Sequence, residues 1–141
     1  MKKAVLPVAL VMTTQLSAAE PSMRYLCVAD SSAGFTYVSD KQQWEPRIFR
    51  TKTKWLIRPA AEAGKIEIVR FGTEDAVYSC PANFTFGGNV LQCDGVGSFF
   101  FNRKNGRFEA RGYEAYALKD VLPGAEGEAD VWMEIGVCSA I

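Results

Sequence analysis

The chain has 141 residues, with 16 lysines and arginines balanced by 16 aspartates and glutamates, and no histidine. Zero formal charge argues against the basic footprint of a nucleic-acid binder or of a protein drawn to an anionic membrane. The missing histidine excludes Ser-His-Asp and Cys-His catalysis and any zinc site built on imidazole.

Lys2 and Lys3 open the chain, and an apolar stretch from Ala4 to Leu16 follows, too short to span a bilayer. Ser17-Ala18-Ala19 supplies the small residues of a cleavage site. Residues 1–19 therefore read as a removable export signal and residues 20–141 as a single mature domain, still close to neutral. No later apolar run reaches the length of a membrane span. Export predicts a periplasmic or secreted protein in an oxidising compartment, where Cys27, Cys80, Cys93 and Cys138 form two disulfides. Their wide spacing, with no CxxC pair, argues against a metal site, and no cofactor is implied.

The mature chain reads as all-β, with short runs rich in aromatic and β-branched residues separated by turn formers. In chain order the predicted strands are Arg24–Ala29, Gly34–Ser39, Trp44–Arg50, Lys54–Pro59 and Lys65–Phe71. Val77–Cys80, Val90–Cys93, Ser98–Arg103, Arg107–Ala117 and Val131–Cys138 follow. Ser31-Ser32, Asp40-Lys41, Gly64, Gly72, Gly87-Gly88, Gly95 and Pro123-Gly124 are the predicted breaks. Lys119–Asp130 is acidic and reads as a solvated loop. About eight to ten short antiparallel strands of this kind close into a barrel or pack as a tight sandwich.

The clearest hairpin is Ser98–Tyr113. Asn105-Gly106 predicts a two-residue turn of type I′, which sets Arg103 opposite Phe108 and Phe101 opposite Ala110. Alternation then places Phe99, Phe101, Phe108 and Ala110 on the core face. A shift of 64 residues aligns Phe35 with Phe99, Tyr37 with Phe101, Trp44 with Phe108 and Glu45-x-Arg47 with Glu109-x-Arg111, without a gap. By this analogy Phe35 joins the core aromatics. The repeat predicts two pseudo-symmetric halves; the competing reading is that any two aromatic hairpins of equal turn length look alike. Two disulfide patterns fit. Cys80–Cys93 with Cys27–Cys138 suits a meander that closes on itself and is the favoured one. Cys27–Cys80 with Cys93–Cys138 would make each half self-contained.

No nucleophile–base pair or spaced pair of acids stands out, so an enzyme is not expected. The expected function is a non-catalytic exported module that binds a protein or a cell-envelope component. An apolar interior open to a small ligand is the carrier alternative.

From Tyr25-Leu26-Cys27-Val28-Ala29-Asp30 through Ala33-Gly34-Phe35, Trp44-Glu45, Phe49, Tyr78-Ser79-Cys80 and Gly106-Arg107-Phe108 to Glu134-Ile135-Gly136-Val137-Cys138, the chain resembles a family of small exported proteobacterial proteins. That family brings no activity with it. Residues 25–47 also resemble periplasmic inhibitors of C-type lysozyme, small β-barrels with an early Tyr-x-Cys, a Ser/Gly/Ala-rich loop, a Tyr and then a Trp. Here these features are Ser31-Ser32-Ala33-Gly34, Tyr37 and Trp44. The resemblance implies inhibition of a cell-wall hydrolase, with Ser31 and Ser32 on a loop that enters the enzyme cleft. Arg47 would stand in for the inhibitors' lysine; the Lys-Gly that follows their Trp is replaced here by Glu45-Pro46-Arg47. Ser31, Ser32, Gly34, Tyr37, Trp44 and Arg47 are thus the candidate partner-binding residues.

Overall fold

The computed structural model describes residues 23–95, 97–112 and 130–141. The export signal, the predicted strand segment 113–117 and the acidic segment up to residue 129 lie outside the described residues. Among the described residues there are nine antiparallel strands: β1 Tyr25–Val38, β2 Gln43–Phe49, β3 Lys54–Pro59, β4 Lys65–Arg70, β5 Ala76–Pro81, β6 Val90–Gly95, β7 Ser98–Asn102, β8 Arg107–Gly112 and β9 Asp130–Ala140. From β3 to β9 each strand pairs with the next, and β1 pairs with both β3 and β9. Eight strands thereby close into a barrel, and β2 is an extra strand outside the circle.

Strand length explains the extra strand. At about 3.3 Å per residue, the 14 residues of β1 far outreach the five or six of β3 to β8. Its first part, Tyr25–Val28, lies in the barrel against β3. Its second part, Ser32–Val38, runs past the barrel rim and takes β2 on the edge that β3 has vacated. The start of β9 follows β1 outward, pairing Asp130–Ile135 with Thr36–Ser31. The result is a three-stranded extension, β2–β1–β9, rising from one side of the rim. Predicted strands Arg24–Ala29 and Gly34–Ser39 are therefore one strand. Ser31-Ser32 is no break: at this point Ala29 pairs with Gly136 and Ser31 with Ile135, leaving Asp30 as a β-bulge.

The barrel interior is filled by side chains. Trp55, Tyr78, Phe99, Phe101, Ile57 and Ile68 are at most 1% exposed. Phe99 and Phe108 stack with ring centroids 5.3 Å apart, and Trp55 meets Tyr78 edge-on at 5.7 Å. Cys27–Cys138 links β1 to β9 and Cys80–Cys93 links β5 to β6, both among the buried residues. The first bridge joins the first and last of these strands, so the halves are not self-contained.

The β7–β8 hairpin differs from its predicted register. Phe101, not Arg103, faces Phe108, and Phe99 faces Ala110. Gly106 alone has positive φ in the loop, and its N–H donates to Asn102 O. The loop is four residues long, 103–106, because Asn105 Oδ1 accepts from the N–H of Arg107 and folds the turn locally. The slip is by two residues, so the paired side chains of β7 and β8 keep their predicted faces.

Candidate functional site

The six candidate binding residues all lie on the extension, but on opposite faces of it. Ser31, Ser32 and Gly34 are in mid-strand, paired with β9, and with β2 from Ser32 onward, rather than on a protruding loop. After the bulge, Ser32 and Thr36 are buried while Phe35 is 50% exposed. Ser32, Gly34 and Arg47 therefore lie on the inner face, which continues the barrel interior, and Ser31, Tyr37 and Trp44 on the outer face. Tyr37 and Trp44 pack edge to face at 5.6 Å. Gly34 pairs with both Arg47 and Trp132, and a Cβ there would run into the backbone of Val131. Phe35, expected in the core, lies on the outer face.

The inner face meets the barrel rim in a cleft of about 190 Å³. β9 contributes Asp130, Trp132 and Glu134; β1 contributes Ser32; β2 contributes Phe49. Trp55 of β3, Arg70 of β4 and Thr53 complete it. Glu134 is only 8% exposed. Thr53 donates to its Oε1 at 3.0 Å and the Trp55 indole N–H to its Oε2 at 3.2 Å. These two donors give both oxygens of the buried carboxylate a hydrogen-bond partner. Asp130 Oδ1 accepts from the Thr36 hydroxyl at 2.7 Å. The Arg70 guanidinium lies 5.7 Å from the Trp55 ring centre. Beneath the rim, the Tyr78 hydroxyl is fully buried and has no hydrogen-bond partner among the described residues. Burial, and then the nearby Glu134 charge, push its pKa up to about 12, so at neutral pH it stays a neutral hydroxyl.

The outer face has the opposite character. Ile48 is 90% exposed, Phe35 50%, Ile135 49%, Val137 48% and Met133 45%. Pairing sets Ile48 beside Ala33 and Ala33 beside Met133, so the row crosses all three strands. Around the rest of the barrel the outward residues include Arg58, Glu67, Ser79, Gln92 and Asp94, and Arg58 and Glu67 form an ion pair at 2.6 Å. Of the two matched Glu-x-Arg motifs, only Glu109 and Arg111 pair with each other; Glu45 is bonded to Lys41 at 2.6 Å and to Gln43.

Sequence reasoning missed Glu134, Trp132, Asp130 and Arg70. A signal existed in β9, where Asp130-x-Trp132-x-Glu134 alternates with Val131, Met133, Ile135 and Val137. The apolar set is the one that alternation assigns to the core, yet it is the set that faces out. Compared with protein-family models, curated proteins and solved structures, the chain matches none.

Proposed function

We propose that this protein is an exported, non-catalytic binding module that docks a partner protein through the outer face of the β2–β1–β9 extension. The observation that carries this is the contiguous apolar row Ile48–Phe35–Met133–Ile135–Val137 on one side of a barrel whose other outward positions are largely polar. Single exposed apolar residues are ordinary, but a row spanning three strands marks an interaction surface. Face-to-face docking fits better than addition of a strand. Among the described residues β2 is the edge strand of the extension, and Pro46, at its centre, has no N–H to offer an incoming strand. All four cysteines are bonded in disulfides and histidine is missing, which withdraws two common nucleophile and base types from a catalytic reading.

A photoreactive amino acid at Ile48, with Gln92 on β6 as the control position, tests this in intact cells. Irradiation should join position 48, and not position 92, to one distinct protein, and Met133→Asp should abolish the product. Labelling of both positions alike, or none at position 48, would overturn the proposal.

A further inference from the structure

The cleft lies on the face opposite the proposed docking row, and its chemistry is of another kind. We propose that the cleft formed by Trp132, Trp55, Glu134, Asp130 and Arg70 binds a single pyranose unit of a carbohydrate. Four observations point to this ligand class. The walls include the partly exposed Trp132 indole and Phe49 ring, and the apolar C–H face of a sugar ring packs on such planes, while the buried Trp55 closes the floor. The polar atoms offer both senses of hydrogen bond: carboxylates that accept, a guanidinium that donates and hydroxyls that do either. Sugar hydroxyls also donate and accept, so they can satisfy such a mixed set.

The remaining two observations concern charge and size. An organic cation would suit the carboxylates and rings, but Arg70 already stands near the Trp55 ring and repels a second positive charge. At about 190 Å³ the cleft is smaller than the pockets that take drug-sized molecules, roughly 300–1,000 Å³, and matches one six-membered ring with its substituents.

The three tryptophans make the test internally controlled, because Trp44 lies on the outer face, away from the cleft. The disulfide-bonded mature protein, labelled with nitrogen-15, would be titrated with glucose, galactose, N-acetylglucosamine and tetramethylammonium while the three indole N–H signals are followed. At least one sugar should shift the Trp55 and Trp132 signals saturably and leave Trp44 in place. Asp130→Asn sits at the exposed end of the cleft and leaves the buried Glu134 network whole. It should weaken that sugar by about tenfold, the worth of one charge-assisted hydrogen bond. Trp132→Ala should abolish the shift at Trp55. Saturable shifts with tetramethylammonium alone would overturn the proposal in favour of a cation site. So would no saturation by any sugar, equal movement of Trp44, or unchanged affinity in both variants.

Discussion

The β1–β2 and β7–β8 hairpins share a design and are used in opposite ways. Tyr37 faces Trp44 in the first and Phe101 faces Phe108 in the second, positions related by the same shift of 64. Each loop has four residues, and each ends in the left-handed region, at Gln42 with φ 51° and at Gly106 with φ 70°. Yet Phe99, Phe101 and Phe108 fill the barrel, while Phe35 is half exposed and Tyr37 and Trp44 are only partly buried. The cause lies outside the hairpin. Before the bulge, odd-numbered residues of β1 point inward, as Cys27 and Ala29 do; after Asp30 the even-numbered Ser32 and Thr36 are the buried ones. One inserted residue reverses the parity of everything beyond it. Without it, Phe35 and Tyr37 would point inward and Ser32 and Thr36 outward. The bulge thus supplies both surfaces of the extension at once: an apolar outer face and a polar cleft within.

Deleting Asp30 is the severest test of that account. It should swing Phe35 and Tyr37 into a rim occupied by Trp55 and Trp132, expose Ser32 and strand Glu134. The loss should exceed about 4 kcal/mol, the range of disrupted buried networks, read as failure to fold or as collapse of the urea midpoint. A near-normal midpoint would mean that the bulge does not set the faces. Next in size is a paired truncation at equivalent positions. Phe99→Ala should cost about 3–5 kcal/mol, as for a fully buried ring. Phe35→Ala should stay within about 1 kcal/mol, because half of that ring is already in water. Equal losses would show that the first hairpin is packed as the second is.

Most of the fold could be read from the sequence because it rests on local rules. Strand positions follow from β-formers and breakers, and the closing disulfide follows from a meander whose ends meet. The Phe99–Ala110 faces survived an error in turn type because the slip was by two. Parity after a bulge is not local in that sense: Asp30 looks like any polar residue, and only its pairing with β9 shows that it is extra. The same blindness hid the cleft. Asp130, Trp132 and Glu134 alternate with a better apolar set, and alternation by itself puts Val131, Met133, Ile135 and Val137 inside. Arg70 and Thr53 reach the cleft from strand and loop positions far away in sequence, which only closure of the barrel brings together.

Alkali should distinguish the regions in a further way. Tyr78 packs on Phe99 at 5.5 Å, on the core side. Burial raises its folded pKa to about 12, above the ordinary tyrosine value of about 10, with Glu134 on β9 adding to the rise and Arg70 on β4 opposing it. Between those two values the unfolded chain releases a proton that the folded chain keeps, so stability falls as pH rises through this window. It is unaffected by this group below pH 10. The full loss is about 2–3 kcal/mol, and Tyr78→Phe should remove it from the pH dependence of the urea midpoint. A slope that persists in the variant would assign the alkaline loss to another group.

The smallest effects lie in the loops and ask whether the two turns are the same turn. Glycine enters the left-handed region freely, whereas a residue with a Cβ pays about 1–2 kcal/mol. Gln42→Gly should therefore stabilise the protein by up to about 1 kcal/mol, after the added freedom of the unfolded chain is subtracted. Gly106→Ala should destabilise it by about 1–2 kcal/mol. A further loss is expected at Gly106, because a Cβ there would lie 3.0 Å from Cys138 O. The Gly106 carbonyl also accepts from the Cys138 N–H at 2.6 Å, which ties this turn to β9. The turn at Gln42 is bonded within its own hairpin, through the Gln42 N–H to Ser39 O at 3.2 Å and Lys41 to Glu45 at 2.6 Å. Opposite signs in the two urea midpoints would establish one turn geometry in two settings. A loss in Gln42→Gly would mean that the glutamine side chain anchors the hairpin tip, and that the likeness of the two hairpins stops at their strands.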